Sequence, residues 1–217
     1  MDVKLPDICN IQYGFPFDSA QFSTNTGVPL IRIRDVVRGY SETYTTEVYS
    51  EEYIVNNGDL LIGMDGEFNI ARWNGGRALL NQRVCRLIPK RTIDKGYLFY
   101  FMPQALKHIE DKTPFATVKH LSAKQLNTII IPLPSLEEQQ HIATVLDKLC
   151  NLISLRKQQL TKLDELVKAR FVEMFGDLKR NNMNWPSRIF ADFAIIDTTM
   201  VHDFEKYSDY PHIGIDS

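Results

Sequence analysis

Ser135-Leu136-Glu137-Glu138-Gln139-Gln140-His141-Ile142 begins a run that continues to Phe175-Gly176 without a glycine or proline between its ends. Ser135 with Glu138 three positions on is a capping box, a start signal for a helix. Behind it stand Ile142, Leu146, Leu149, Ile153, Leu160, Leu163, Val167 and Met174. Their spacings alternate four and three once Arg156 and Arg170 are counted as polar intruders, which is the a/d seam of a coiled coil. Gly176 supplies the C-cap. At 1.5 Å per residue the run spans roughly 60 Å. A domain of the size that precedes it has a radius of gyration of about 14 Å. An ordinary core helix would be shorter, so much of the seam is expected to meet something outside that domain. Arg156 and Arg170 either reach the edge of a helix pair or set its register; mid-helix Arg156 suits the second role.

Residues 1–134, upstream of the run, read as a mixed, strand-rich domain. Pro29-Leu30-Ile31-Arg32-Ile33-Arg34 alternates apolar and basic, the period of a half-buried strand. Tyr53-Ile54-Val55 leads through the turn cluster Asn56-Asn57-Gly58-Asp59 to Leu60-Leu61-Ile62-Gly63-Met64. Residues 77–88 predict a further strand and residues 97–109 a helix with Leu98, Phe101, Leu106 and Ile109 inward. Ser122 caps a short helix over 123–126, and residues 128–133 form a last strand before the prolines. Downstream, 177–187 is a polar link rich in asparagine. Residues 188–217 then repeat the opening of the chain in outline: Phe190-Ala191-Asp192-Phe193 and Pro211-His212-Ile213-Gly214-Ile215 echo Leu5-Pro6-Asp7-Ile8 and Pro29-Leu30-Ile31-Arg32-Ile33. The expected fold class is therefore α+β: a strand-rich domain, a long coiled-coil-forming helix, and the start of a second copy of the domain.

Of the 217 residues, 44% are hydrophobic and 24% charged, with a net charge of −2. This is globular composition, not disordered or fibrous, and no global basic field attracts nucleic acid or membrane. Cys9, Cys85 and Cys150 form no CxxC pair, so buried reduced thiols in a cytoplasmic protein are expected rather than disulfides or zinc. Neither a signal peptide nor an apolar run of membrane-spanning length is read. The chain has no GxGxxG or GxxxxGK loop for S-adenosylmethionine or nucleotide. Asn182-Met183-Asn184-Trp185 lacks the prolines of an amino-methyltransferase motif. Asp65-Gly66-Glu67 without a following lysine reads as a surface turn, and the five histidines fall in no metal-binding spacing.

The domain–helix–restart order resembles the specificity subunits of type I restriction-modification systems. Ile131-Pro132-Leu133-Pro134 followed by Glu138-Gln139 and Ile142 is similar to the entrance of that family's spacer helix. Phe171-Val172-Glu173-Met174-Phe175-Gly176-Asp177, with Trp185-Pro186, is similar to its exit. Gly58-Asp59-Leu60-Leu61 and Leu80-Asn81-Gln82-Arg83-Val84 resemble looser words of the recognition domains. The resemblance implies a subunit without chemistry of its own. Two target-recognition domains, held apart by antiparallel spacer helices, would each read half of a bipartite double-stranded DNA site. Modification (methyltransferase) subunits would bring S-adenosylmethionine, and restriction (endonuclease/translocase) subunits would bring ATP and Mg; this chain itself would hold no cofactor. With one spacer helix here, the seam of Ile142, Leu146, Leu149, Ile153, Leu160, Leu163 and Val167 is expected to pair in an antiparallel homodimer or with a second half-subunit. The competing readings are a fragment of a stand-alone DNA methyltransferase and a coiled-coil adaptor without DNA binding.

Base and phosphate contacts call for arginines, amides and small polar groups on loops and strand ends. The candidates are Arg32, Arg34 and Arg38, then Asn69, Arg72, Asn74 and Arg77 in the glycine-rich 64–77 stretch, and Lys112, Thr117, Lys119 and His120 in a second polar loop. Each has an alternative reading as a solvated face residue paired with an acid.

Overall fold

In a computed structural model, residues 2–113, 119–196, 205–207 and 209 are described. The chain divides into two units, Met1–Lys157 and Gln158–Ser217. The first unit opens with β1 (Asp2–Lys4), α1 (Leu5–Ile8), β2 (Cys9–Tyr13), β3 (Phe22–Ser23), β4 (Val28–Ile31) and α2 (Ile33–Arg38). There follow β5 (Tyr44–Thr45), β6 (Ile54–Val55), β7 (Leu60–Gly63), β8 (Asn69–Arg72), β9 (Ala78–Leu80) and β10 (Val84–Pro89). Then come α3 (Lys95–Lys112), α4 (Ala123–Leu126), β11 (Ile130–Pro132) and α5 (Leu136–Phe175). Strands β2-β10-β7-β8 form an antiparallel sheet, β3-β5-β4-β9-β6 a second sheet in which β4 and β9 run parallel, and β1 pairs with β11.

The apolar run Leu60-Leu61-Ile62 sits at the centre and is fully buried. Successive strand residues point to opposite faces. Leu60 and Ile62 pack with Cys85, Leu87 and the Leu98, Met102 and Leu106 stripe of α3. Leu61 packs the other way, against Ile31, Val36, Trp73 and Leu80. A strand covered on both faces reads as continuous hydrophobicity rather than alternation. The Gly58-Asp59 word has a structural task. Gly58 turns at φ 88°. The Asp59 carboxylate takes the Asn56 N–H at 3.0 Å and the Arg86 guanidinium at 3.1 Å, and its carbonyl takes the Trp73 N–H at 2.8 Å. Arg86 also donates to the Ile54 and Glu52 carbonyls and to Gln12, so this arginine ties three strands from within.

Two sequence expectations are corrected. The alternation at 29–34 does not continue as strand: β4 stops at Ile31, and Ile33–Arg38 is helical. The Asp35 carboxylate, fully buried, accepts the Arg32 N–H at 2.9 Å and starts the helix there. Arg32, Arg34 and Arg38 therefore lie at the head of α2 and along it, not on one strand face. Second, the strand read over 77–88 is broken into β9 and β10 by a turn at Asn81-Gln82-Arg83, where the Asn81 side chain takes the Gln82 N–H at 2.6 Å. The thiols also differ from expectation: Cys9 and Cys85 are buried, and Cys150 is exposed.

The α5 entrance closes the capping box: Glu138 Oε2 accepts the Ser135 N–H at 2.9 Å and the Ser135 hydroxyl at 2.8 Å. In the second unit, Gly176 (φ 74°) ends α5, and its N–H reaches the Val172 carbonyl at 2.8 Å. The polar link is knitted to that end. The Asp177 N–H donates to Asn182 at 2.8 Å, and the Trp185 indole donates to the Phe175 carbonyl at 2.9 Å. Beyond it, short turns at Phe190–Asp192 and Glu205–Tyr207 are described. The Pro211–Ile215 half of the internal repeat lies outside the described residues.

Candidate nucleic-acid interface and the helix clasp

Three backbone segments converge at one rim of the first unit. The Met64 N–H binds the Arg83 carbonyl at 3.0 Å, the Leu121 N–H binds the Met64 carbonyl at 2.7 Å, and the Gly66 N–H binds the Lys119 carbonyl at 2.9 Å. The corner at Gly14-Phe15 joins them, with the Phe15 N–H on the Leu80 carbonyl at 2.9 Å and the Gln82 N–H on the Phe15 carbonyl at 3.0 Å. On this frame Asp65, largely buried, gathers the side chains of Arg83 and His120. Arg83 Nη1 lies 2.8 Å from Asp65 Oδ2, and His120 Nδ1 lies 2.6 Å from Asp65 Oδ1. Both remain more than half exposed, Arg83 at 57% and His120 at 53%. A carboxylate held behind an exposed guanidinium fixes its fork without consuming every donor. Lys119 stands beside them and donates to the Glu110 carbonyl at 2.8 Å. A Cβ placed on Gly63 would crowd Asn69 Oδ1 at 3.0 Å and Ile33 Cγ1 at 3.1 Å, which puts the head of α2 and Asn69 against the same strand end. Asn69 Oδ1 is buried and, among the described residues, accepts no hydrogen bond.

The remaining sequence candidates distribute elsewhere. Arg34 is half exposed and lies 3.8 Å from Asp35; Arg38 pairs with Glu42 at 3.1 Å; Arg77 pairs with Glu51 at 3.4 Å. Arg32 and Asn74 are exposed, as is Lys112 at the end of α3. Thr117 lies outside the described residues.

Arg72 has its contacts at α5. Its guanidinium turns toward α5, where Nη1 meets Asp147 Oδ1 at 2.8 Å. It lies over the Phe99 ring at 4.4 Å and the Tyr100 ring at 5.5 Å, a cation–π seat. The Tyr100 hydroxyl donates to the same Asp147 oxygen at 2.6 Å. These contacts, the hydroxyl first and Arg72 after it, hold the Asp147 carboxyl below its usual range against the opposing effect of burial. Two turns earlier, Gln139 is buried: its Oε1 accepts the Asp94 N–H at 2.8 Å, and its Nε2 donates to the Pro134 carbonyl at 3.0 Å. Midway between them, a Cβ on Gly96 would come within 2.9 Å of Ala143 Cβ. Gln139, Ala143 and Asp147 are four residues apart and share one helix face. This three-point clasp docks α5 onto the domain.

The seam lies about 120° around the helix from that face, at 100° per residue. It is left open: Leu149, Ile153, Leu160, Leu163 and Val167 are between 49% and 68% exposed. Arg83, Asp65, Gln139, Tyr100 and Asp147 were not singled out as site residues from the sequence. Arg83 was legible only as part of the Asn81-Gln82-Arg83 word, and Gln139 only as part of the helix-entrance motif.

The first unit is thus a strand-rich domain with Arg83 and Lys119 at one rim, clasped by polar contacts to the start of a long helix with exposed apolar residues. Residues 1–165 match the family described as type I restriction modification DNA specificity domain, and the chain belongs to that family. It is 39% identical over 168 residues to the type I restriction enzyme EcoBI specificity subunit of Escherichia coli, covering 76% of this chain and 35% of that one. With the MjaVIII specificity subunit of Methanocaldococcus jannaschii it shares 28% identity over 209 residues, 86% of this chain and 49% of the relative. The fold is similar to that of the HsdS subunit from Thermoanaerobacter tengcongensis, with a TM-score of 0.60 at 19% identity over 81% of this chain and 44% of that one. The chain thus spans less than half the length of these relatives. Among the described residues no helix is long and apolar enough to cross a membrane.

Proposed function

We propose that this chain is a non-catalytic DNA specificity subunit that reads one half of a bipartite double-stranded site. It directs methylation and restriction by separate modification and restriction subunits, which bring S-adenosylmethionine, ATP and Mg. The observation that carries the reading is the family match across residues 1–165, covering both the recognition domain and most of the spacer helix. The rim of Asp65, Arg83, Lys119 and His120 is the proposed DNA-facing surface, with Asn69 at its edge. Exposed guanidinium forks suit guanine edges and phosphates, and amides suit adenine. Purified chain mixed with its modification subunits and a random duplex library should methylate one sequence class. The chain alone should neither methylate, cleave nor hydrolyse ATP. Turnover by the chain alone, or methylation without sequence preference, would overturn the reading.

The open seam supports a second copy of this chain as its cover. Burying Ile142, Leu146, Leu149, Ile153, Leu160, Leu163 and Val167 offers on the order of ten kcal/mol gross, at about 1.5–3 kcal/mol each when complete. Association entropy offsets part of this. An antiparallel two-fold pair through residues 136–175 would present two identical recognition domains to a symmetric bipartite site. Sedimentation should give twice the 25.1 kDa chain mass, and Leu149→Asp with Ile153→Asp should abolish the pair. A monomeric wild-type chain at micromolar concentration would assign the seam to a second half-subunit.

A further inference from the structure

We infer that the clasp of Gln139, Ala143 and Asp147 on Asp94, Gly96, Arg72 and Tyr100 sets which half-site spacing is accepted, making Arg72 and Asp147 positioning residues for recognition. The inference rests on the bipartite reading above and deepens it. Helix length alone leaves the direction of the helix unspecified; direction is fixed where the helix meets the domain. That meeting is small and mostly polar. Gln139 and Asp147 are separated by about 12 Å along the axis, so two pins at the ends of this stretch define a line. The near-contact of Gly96 with Ala143 sets the height between them. Hydrogen bonds with fixed partners hold one register, the best-attested role of such polar contacts. Arg72 is held from its own side as well, by the rings of Phe99 and Tyr100.

Leverage turns this local geometry into specificity. Between Asp147 and Phe175 lies roughly 40 Å of helix. A tilt of about 5° at the clasp shifts the far end by about 4 Å, comparable with the 3.4 Å rise per base pair. A loosened clasp therefore admits sites one base pair shorter or longer, while the rim that reads each half-site is untouched.

The test uses the chain assembled with its modification subunits, after its target has been mapped by methylation sequencing. Duplexes carry the same half-sites with the native spacer and with one base pair removed or added. Asp147→Asn keeps the shape and removes the charge. The preference for the native spacer should fall about fivefold, the scale of a partly exposed ion pair. Gly96→Ala deletes no polar group but wedges the helix from the domain, and should lower the same preference about tenfold. Affinity for an isolated half-site should stay at the wild-type value in both variants. Unchanged spacer discrimination in both variants, or equal weakening on all three duplexes, overturns the inference. A wild-type complex that selects no bipartite site instead overturns the reading beneath it, and the inference falls with that reading.

Discussion

Two Arg–Asp pairs in this molecule are nearly the same in geometry and opposite in use. At the rim, Arg83 meets Asp65 at 2.8 Å, and the second carboxylate oxygen meets His120 at 2.6 Å. At the clasp, Arg72 meets Asp147 at 2.8 Å, and the carboxylate accepts a second contact, from Tyr100, at 2.6 Å. The difference lies behind the cation. Arg83 opens to solvent while its acid is shielded, so the outward surface is a donor fork. Arg72 is backed by two aromatic rings and faced by a helix, so the donor it commits goes to Asp147 within the molecule, although the side chain stays 37% exposed. An arginine near a turn therefore declares its role by what stands on its open side.

The largest effect that sharpens this contrast comes from Gln139. Gln139→Leu strands the Asp94 N–H and the Pro134 carbonyl, two groups that lose about 1–3 kcal/mol each when buried unpaired. The first unit should lose about 2–4 kcal/mol, and the melting temperature should fall by about 5–12 °C. A loss below 1 °C by calorimetry would mean that α5 is held by something other than the clasp.

Arg83 and Arg72 exchange sensitivities in the next comparison. Arg83→Ala should weaken binding of the assembled complex to its half-site about tenfold or more, the scale of one good base or phosphate contact. Its melting temperature should barely move, since exposed substitutions usually stay within about 0.5 kcal/mol. Arg72→Ala should do the reverse, leaving half-site affinity intact and lowering thermal stability. Mobility-shift titration beside calorimetry reads both quantities. Affinity lost with Arg72 and kept with Arg83 would interchange the two roles.

Sequence reading reached the helix because its signals are local. A capping box, a glycine-free run and a C-terminal glycine each act within a few residues, and Leu136–Phe175 follows from them. The α+β class followed in the same way from periodicity. The reading of Arg32, Ile33 and Arg34 as strand failed because one buried acid, Asp35, captures the Arg32 N–H and starts a helix against the alternating pattern. The helix partner of Arg72 went unread for a different reason. That partner lies seventy-five positions away in the chain, and no periodicity connects a glycine-rich stretch with one face of a helix. Asp65 was legible as a turn, but not as the acid that gathers Arg83 and His120, because those three come together only when β7, β10 and the segment before α4 are side by side. The heptad pattern, in contrast, drew attention to apolar residues of α5 that are exposed in the single chain, while saying nothing of the polar face beside them.

The smallest expected effect is in the pH dependence of the clasp, and it distinguishes the two acids by sign. The Asp147 carboxyl is held below its usual range, chiefly by the Tyr100 hydroxyl and then by Arg72. A group whose folded pKa is depressed stabilises the fold above its unfolded pKa, about 3.9 for an aspartate. That contribution is lost as pH falls through the lower folded value. Tyr100 is displaced upward by burial and by the carboxylate it faces. Its contribution is present below the ordinary phenol pKa of about 10 and is lost as pH rises through the raised one. Buried Asp35 is also displaced upward, so its ionisation opposes folding and its slope in acid runs against that of Asp147. Wild-type stability alone would mix the two. The difference between wild type and Asp147→Asn cancels Asp35, because both chains carry it. That difference should be flat near neutrality, at less than about 1 kcal/mol for a pair this exposed. It should shrink toward zero below about pH 4. Urea titrations of both chains from pH 3 to 8 measure it. A difference that grows in acid would show that Asp147 is harboured protonated, and that Arg72 has no anion to hold.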